Sequence, residues 1–548
     1  NIITKRGEGP LTARVEVGFG SDGRQEGNLA LSGGYNIFDF AFAFSRSSRD
    51  DMHVAMANTG AERIATKGSS KWNGTAFKSK YGIDGEMGLT FMDNHRIGFH
   101  IAYTDIDNGH VPGGGFISTA PYPLNYSNNN NYTYNYTLSY DGKTSDDRFN
   151  WFLKYTRGQI LNQAAGYSDP TDPNAYPPYF PEISWTSKSI TVLDQIQAQF
   201  TFDSLSYVTV TAGVDYFKYK TETWGYSATK GSIADLAFYV LGKVRLFDSR
   251  LIFTVGGRYD SYKLTSITAA SMTANNFVPS VGLAFSPYDF IKFRANYSVG
   301  YALPNTQQFL GDGGVNYLAA PNLKPQESKT YELGVDISYD YIDASLTYFH
   351  SNFKNKFVSF VVPGECSNYY KTCNQFQNLA GSVYAGIELI LKFDIARAMN
   401  QEFSLTPFVN LTMMTKRENK DQRVGAVVPI APNIMPNVPK IVLSYGITFD
   451  YPDINLSANL NASYFGKVYT QDFDTNPLAY LTGGFPWMEY GGFTTVNFSI
   501  SKRILDFQDK GNLGIKVDVN NIFNEYKGPT MNYPIQARNF YVGLVYSY

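Results

Sequence analysis

The two ends of this 548-residue chain ask for the same pair of environments. The last eleven residues read RNFYVGLVYSY, placing Phe540, Val542, Leu544, Tyr546 and Tyr548 on one face of an extended strand. Asn539, Tyr541, Gly543, Val545 and Ser547 fall on the other face. Near the start, Leu11, Ala13, Val15, Val17 and Phe19 alternate with Thr12, Arg14, Glu16 and Gly18 in the same way. Both strands would be edges in an open sheet. Pairing the first with the last removes both edges, which is the condition for a sheet to survive in hydrocarbon. The expectation is an all-β fold, a closed transmembrane antiparallel barrel.

Between these ends, alternating runs are separated by turn chemistry, giving about 22 strands with alternately long and short connections. Long connections are expected near 108–131, 159–189, 220–233, 263–276, 301–328, 354–380, 416–437, 468–490 and 521–537. Short ones include Met92-Asp93-Asn94, Phe247–Ser249 and Tyr339–Tyr341. Gln195, Gln197 and Gln199 against Ile196, Ala198 and Phe200 show a wet face and a lipid face most clearly. A soluble all-β protein alternates likewise, but a sheet this long would split into separate domains.

Composition agrees with the barrel. Tyr and Phe number 42 and 40, suited to strands and interfacial girdles, while mean hydropathy is −0.26 because alternate residues face water. No apolar run is long enough for a transmembrane helix. The net charge of −2 gives no reason to invoke nucleic acid. The opening Asn1–Arg6 has no signal-peptide pattern, so the chain is expected to begin after such a signal, or after more.

Three segments together resemble TonB-dependent outer-membrane receptors. The opening NIITKRG resembles the end of that family's plug. Tyr301-Ala302-Leu303-Pro304, then Ala320 to Ser328 and Tyr331-Glu332-Leu333-Gly334, resemble an extracellular loop pattern and the strand after it. Val519 to Tyr526 with the terminal strand resembles its closing segment. The resemblance implies residues 1–7 as the last plug strand and 8–548 as the barrel, in the outer membrane of a Gram-negative bacterium. It implies a ferric siderophore or similar chelate as ligand, with a cobalamin receptor or a passive porin or adhesin barrel as alternatives. The implied partners are an inner-membrane TonB-type energiser acting through an upstream plug, and outer-membrane lipid and lipopolysaccharide. No enzymatic role and no cofactor is implied. Heme receptors of the family place a His between the two loop segments, and Asn305–Ala319 contains none. His53 and His110, in expected outer loops, are the remaining heme-ligand candidates.

The loop around Gly166–Trp185 combines Tyr176, Tyr179, Phe180 and Trp185 with five prolines. These aromatics line a ligand vestibule or pack the loop on itself. Phe309 and Tyr317 join them as ligand candidates. The carboxylates Asp169, Asp172 and Glu182 read as ordinary loop residues rather than a calcium site, and no metal centre is assigned. Cys366 and Cys373 in an envelope protein read as a loop disulfide. The terminal Phe540, Val542, Leu544, Tyr546 and Tyr548 read as the assembly signal. Neither a phosphate loop nor a zinc-protease or serine-hydrolase signature occurs.

Overall fold

A computed structural model describes residues 6–50, 78–112, 126–167, 185–205, 207–225, 229–266, 271–311, 317–362, 366, 373–378, 381–420, 434–471, 487–525, 527–528 and 535–548. Twenty-two strands form one antiparallel sheet in which each pairs with its sequence neighbours in the barrel wall. The first strand, Thr12–Gly20, and the last, Asn539–Ser547, close it. Val17 lies opposite Leu544 and Phe19 opposite Val542, so the two apolar faces meet in register. Ala13 and Tyr548 exchange two backbone hydrogen bonds at 3.0 and 2.7 Å, extending the seam to the last residue. The expected closure and strand number are both present.

The alternation decides which side chains meet lipid. Phe19, Leu138, Phe238, Val240 and Leu333 stand exposed on the outer wall, whereas the intervening positions point inward. On the inner face, hydroxyls on neighbouring strands bond one another, as Thr137 with Thr156 at 2.9 Å and Thr191 with Thr221 at 3.1 Å. Such pairs satisfy polar groups that a wet lumen tolerates and hydrocarbon does not.

Short turns carry a girdle of rings. Phe149 packs on Trp151, Phe290 on Tyr339, and Tyr341 on Phe393, at centroid distances of 5.5, 5.7 and 5.6 Å. The Met92-Asp93 turn places two non-glycine residues at positive φ, 50° and 57°, the twist a tight hairpin needs. At another turn, Asp394 caps the one-turn helix Ile395–Ala398 and accepts from the backbone N–H of Arg397 and Leu405 and from the Ser404 hydroxyl. Burial alone would raise its carboxyl, but these donors hold it below the usual carboxylate range.

Several expected long connections are shorter than the sequence implied. The strands Val208–Gly225 and Thr229–Leu246 stay paired up to Thr223 opposite Thr229, leaving almost nothing of the connection placed at 220–233. The strands Leu251–Ser266 and Met272–Tyr288 likewise take up most of 263–276. The strand His95–Pro112 runs past 108, and Tyr126–Lys143 begins before 131; Phe149–Tyr167 and Trp185–Leu205 narrow the next loop. Once both faces are wet, alternation of apolar and polar residues fades, but cross-strand hydrogen bonds and β-favouring Thr and Tyr continue the ladder.

Candidate functional site

The strand Ile291–Ala302 leads into a segment that folds inward at the wider-looped end of the barrel. Asn305 starts the short helix Thr306–Leu310 with a reciprocal cap: its Oδ1 accepts from Gln308 N–H at 2.8 Å, and Gln308 Oε1 accepts from Asn305 N–H at 3.0 Å. Gly311 ends the helix at φ 69°, a conformation that favours glycine. Phe309 projects from this turn onto Tyr262 and Leu264, and all three are buried, with Leu303 and Leu310 packed around them. Tyr262 and Leu264 share the inner face of the strand Leu251–Ser266 with Arg258 and Asp260. The helix therefore covers part of the inner wall.

Next to this cover lies a group of carboxylates. Asp235 and Asp260 are 1% and 0% exposed. Arg258 Nε donates to Asp260 Oδ1 at 2.7 Å, while its Nη2 stands 3.5 Å from Asp215 and 3.7 Å from Asp235. Tyr301 stacks on Tyr262 with centroids 6.2 Å apart. Among the described residues, neither carboxylate oxygen of Asp235 finds a hydrogen-bond donor. Among the described residues a single guanidinium thus serves three carboxylates, and without it burial of the group would be strongly unfavourable.

A second structure covers the mouth from the neighbouring loop. Strands Phe357–Val362 and Cys373–Asn378 form a hairpin, and Tyr317–Leu318 adds to it in parallel. Tyr317 stacks on Phe376 at 5.3 Å. Gln375 Nε2 donates to Ala319 O at 2.7 Å, and Asn378 exchanges hydrogen bonds with the Lys324 backbone at 2.8 Å in both directions. Two loops distant in sequence are thereby joined. Between them lies a hollow of about 280 Å³ beside Leu323 and Phe376, smaller than pockets that engulf drug-sized ligands. This hollow is too small to enclose a bulky ligand.

Cys366 and Cys373 are bonded, with Cα atoms 5.2 Å apart, and both are buried. So short a ring restricts the unfolded chain by about 2–3 kcal/mol in the chain-entropy picture. The effect should be local, because the bond closes a hairpin outside the barrel wall. Replacing both cysteines by Ser is expected to expose the 357–378 region to limited proteolysis while barrel melting shifts by no more than a few degrees. Two free thiols by mass in non-reduced protein, or an unchanged digest, would remove the bond from this account.

The remaining sequence candidates divide. Tyr176, Tyr179 and Phe180 lie outside the described residues, as do His53 and the side chains of His110 and Trp185; Trp185 begins a wall strand. Phe309 and Tyr317 sit in adjoining parts of the entrance, yet Phe309 is 2% exposed and presents almost no surface to a ligand. Sequence reasoning missed Asp215, Asp235, Arg258 and Asp260 altogether. Among the described residues no group of three His, Cys, Asp or Glu side chains is placed to hold a metal.

Comparison with known proteins resolves the family. The family model described as TonB dependent receptor-like, beta-barrel matches residues 22–522. The chain belongs to that family. Barrels of this family are outer-membrane proteins, and the homologues are transport receptors rather than enzymes. The heme/hemopexin utilization protein C of Haemophilus influenzae is 24% identical over 251 residues, 40% of this chain and 34% of that protein. The ferric enterobactin receptor of Pseudomonas aeruginosa is 25% identical over 243 residues, 41% of this chain and 29% of that protein. The chain thus matches about a third of each of these relatives. The crystal structure of the siderophore receptor PirA from Acinetobacter baumannii superposes with a TM-score of 0.73 at 17% identity, covering 100% of this chain and 82% of that one. That likeness concerns the fold.

Proposed function

We propose that this barrel belongs to a receptor that captures a ferric siderophore and imports it with energy from a TonB-type inner-membrane partner. The observation that carries the reading is the covered entrance: a capped helix packed into the mouth and a disulfide-closed hairpin joined by hydrogen bonds to the loop that follows that helix. A passive pore gains nothing from such covers, whereas a receptor that holds a scarce ligand before releasing it inward does. Import against a gradient needs energy, and no phosphate loop occurs in the sequence, so the energy is supplied from outside the barrel. In this reading residues 1–7 are the end of a plug, and 8–548 the barrel. The ligand class follows from relatives named for enterobactin and siderophore reception.

A second reading, heme uptake, is favoured by the likeness to the heme/hemopexin protein. Against it, Asn305–Ala319 holds no His to ligate heme iron. Growth of an iron-starved strain carrying the full-length gene distinguishes the two. Ferric enterobactin or another ferric siderophore as sole iron source is expected to support growth that vanishes when the gene or the energiser is deleted, and heme is expected to support none. Growth on heme alone selects the second reading, and chelate uptake that persists without the energiser overturns both.

A further inference from the structure

On the inner wall beside the helix Thr306–Leu310, polar atoms converge that the transport reading does not use. Asp235 lies opposite Tyr262, Ala237 opposite Asp260, and Asp260 opposite Asn276, so the strands Thr229–Leu246, Leu251–Ser266 and Met272–Tyr288 turn these side chains onto adjoining rungs of one face. Among the described residues, both carboxylate oxygens of Asp235, Oδ2 of Asp260, the Tyr262 hydroxyl and the Asn276 amide nitrogen are enclosed without a hydrogen-bond partner. Asp235, Asp260 and Tyr262 are 1%, 0% and 2% exposed. An enclosed polar atom without a partner is costly, and so many on neighbouring rungs imply something held between them.

Charge leads the same way. Asp215, Asp235 and Asp260 gather round Arg258, and among the described residues no other cation stands on these inner rungs: the flanking positions are Ile233, Ala237, Leu264 and Val278, and the helix brings Gln307 and Gln308. Arg258 meets Oδ2 of Asp235 at 3.7 Å and Oδ1 of Asp260 at 2.7 Å, which leaves the other oxygen of each carboxylate unanswered. Tyr262 adds a neutral oxygen, and turning the Asn276 amide, whose oxygen and nitrogen are alike in shape, adds another. Carboxylate and neutral oxygens without sulfur or imidazole are the ligand set of a hard divalent cation. Such an ion keeps its oxygens about 2.3–2.6 Å from itself and so apart from one another, which accounts for a hydroxyl that stands opposite a carboxylate without bonding it.

We propose that Asp235, Asp260, Tyr262 and Asn276 bind a divalent cation of the calcium class, and that the bound ion fastens the helix Thr306–Leu310 to the barrel wall. Tyr262 links the two, because its ring packs against Phe309 of the helix while it stands opposite Asp235. An ion that draws the hydroxyl and the carboxylates together stiffens the floor on which Phe309 rests. Without it, like charges face one another under the helix and loosen that floor. A proton shared by the two carboxyl groups would relieve part of the charge but would leave Tyr262 and Asn276 unanswered, so the cation accounts for more of the site. The inference concerns the cover of the entrance and holds whichever iron ligand the receptor imports.

The test uses the full-length protein purified in detergent, stripped with a chelator and titrated with calcium chloride in a calorimeter. Wild type is expected to bind calcium at this site, and Asp235→Asn to weaken that binding by about tenfold or more. Asp235→Asn removes a charge from a crowded group, so it should fold. Tyr262→Phe keeps the ring against Phe309 and should weaken binding several-fold, whereas Asn276→Asp adds a charged ligand and should tighten it several-fold. Asp169→Asn with Asp172→Asn, in a connection outside the described residues, should leave binding at this site unchanged. Calcium should also raise the melting temperature of wild type and slow chymotrypsin cleavage at Phe309, and do neither in Asp235→Asn. Equal calcium binding by Asp235→Asn and wild type overturns the proposal, as does weaker binding by Asn276→Asp, or cleavage at Phe309 that calcium leaves unaltered. A wild-type melting temperature that follows pH and ignores calcium also overturns it, since that is the behaviour of a shared proton.

Discussion

Deleting Tyr546, Ser547 and Tyr548 is expected to reduce folded barrel in the outer membrane at least tenfold. These residues supply Tyr546 opposite Val15 and Ser547 opposite Arg14 on one side of the seam. On the other side they supply Tyr546 opposite Leu513 and Ser547 opposite Asn512. The two backbone bonds between Ala13 and Tyr548 go with them, and so does the hydrogen bond that the Tyr546 hydroxyl donates to the Lys510 carbonyl. Without them the first strand would present unpaired N–H and C=O groups beside hydrocarbon, each costing several kcal/mol. That total rivals the net stability of a folded domain, about 5–15 kcal/mol. Heat-modifiable migration of envelope fractions measures the assembled form. Tyr546→Ala with Tyr548→Ala keeps the backbone rungs and removes the rings, so it should retain a larger folded fraction than the deletion. Wild-type levels of the deleted chain in the outer membrane would refute the seam argument.

Closure was legible in the sequence because it rests on period-two alternation at both ends, and a one-residue slip would put Val17 and Leu544 on opposite faces, turning one strand's apolar set away from lipid. The opposite face was less legible. Tyr541 looked like an aromatic residue on the polar side, but it is 1% exposed, donates to Glu16 at 3.1 Å and lies 4.3 Å beneath the Arg24 guanidinium. Inward charges such as Asp235 and Arg258 read as ordinary wet positions, since alternation says which way a side chain points and nothing of which distant strand answers it. Arg258 meets Asp215, 43 positions earlier, only because the strands between them stand side by side. The entrance was harder still: the helix Thr306–Leu310 is too short for periodicity to reveal, and the pairing of Tyr317 with Asn374 joins two loops with no common pattern. The Cys pair was the exception, because compartment and spacing alone bring it together.

The second large effect is expected at Arg96, on the inner face of the strand His95–Pro112. Its Nε and Nη2 donate to the two Asp39 oxygens at 2.8 and 2.7 Å, a bidentate fork, and Nη2 also lies 3.0 Å from Glu86. All three side chains are nearly enclosed, at 8%, 14% and 8% exposure. The guanidinium lies flat over two glycines: a Cβ at Gly88 would fall 2.2 Å from Nη2, and one at Gly98 would fall 2.6 Å from Nη1. The inner wall is therefore shaped around this side chain. Arg96→Leu should leave Asp39 and Glu86 buried without their cation and cost about 3–5 kcal/mol, toward the lower end because Arg6 stands 3.9 Å from Glu86. Arg96→Lys should recover only part, since an ammonium cannot reproduce the fork. Gly88→Ala should destabilise through the same guanidinium, which would have to leave its place. If the loss comes from uncompensated charge, Arg96→Leu combined with Asp39→Asn and Glu86→Gln should be more stable than Arg96→Leu alone. Denaturant unfolding of the purified barrel reads all of these variants. An Arg96→Leu midpoint equal to wild type, or a triple variant no better than the single one, would show that these carboxylates do not depend on Arg96.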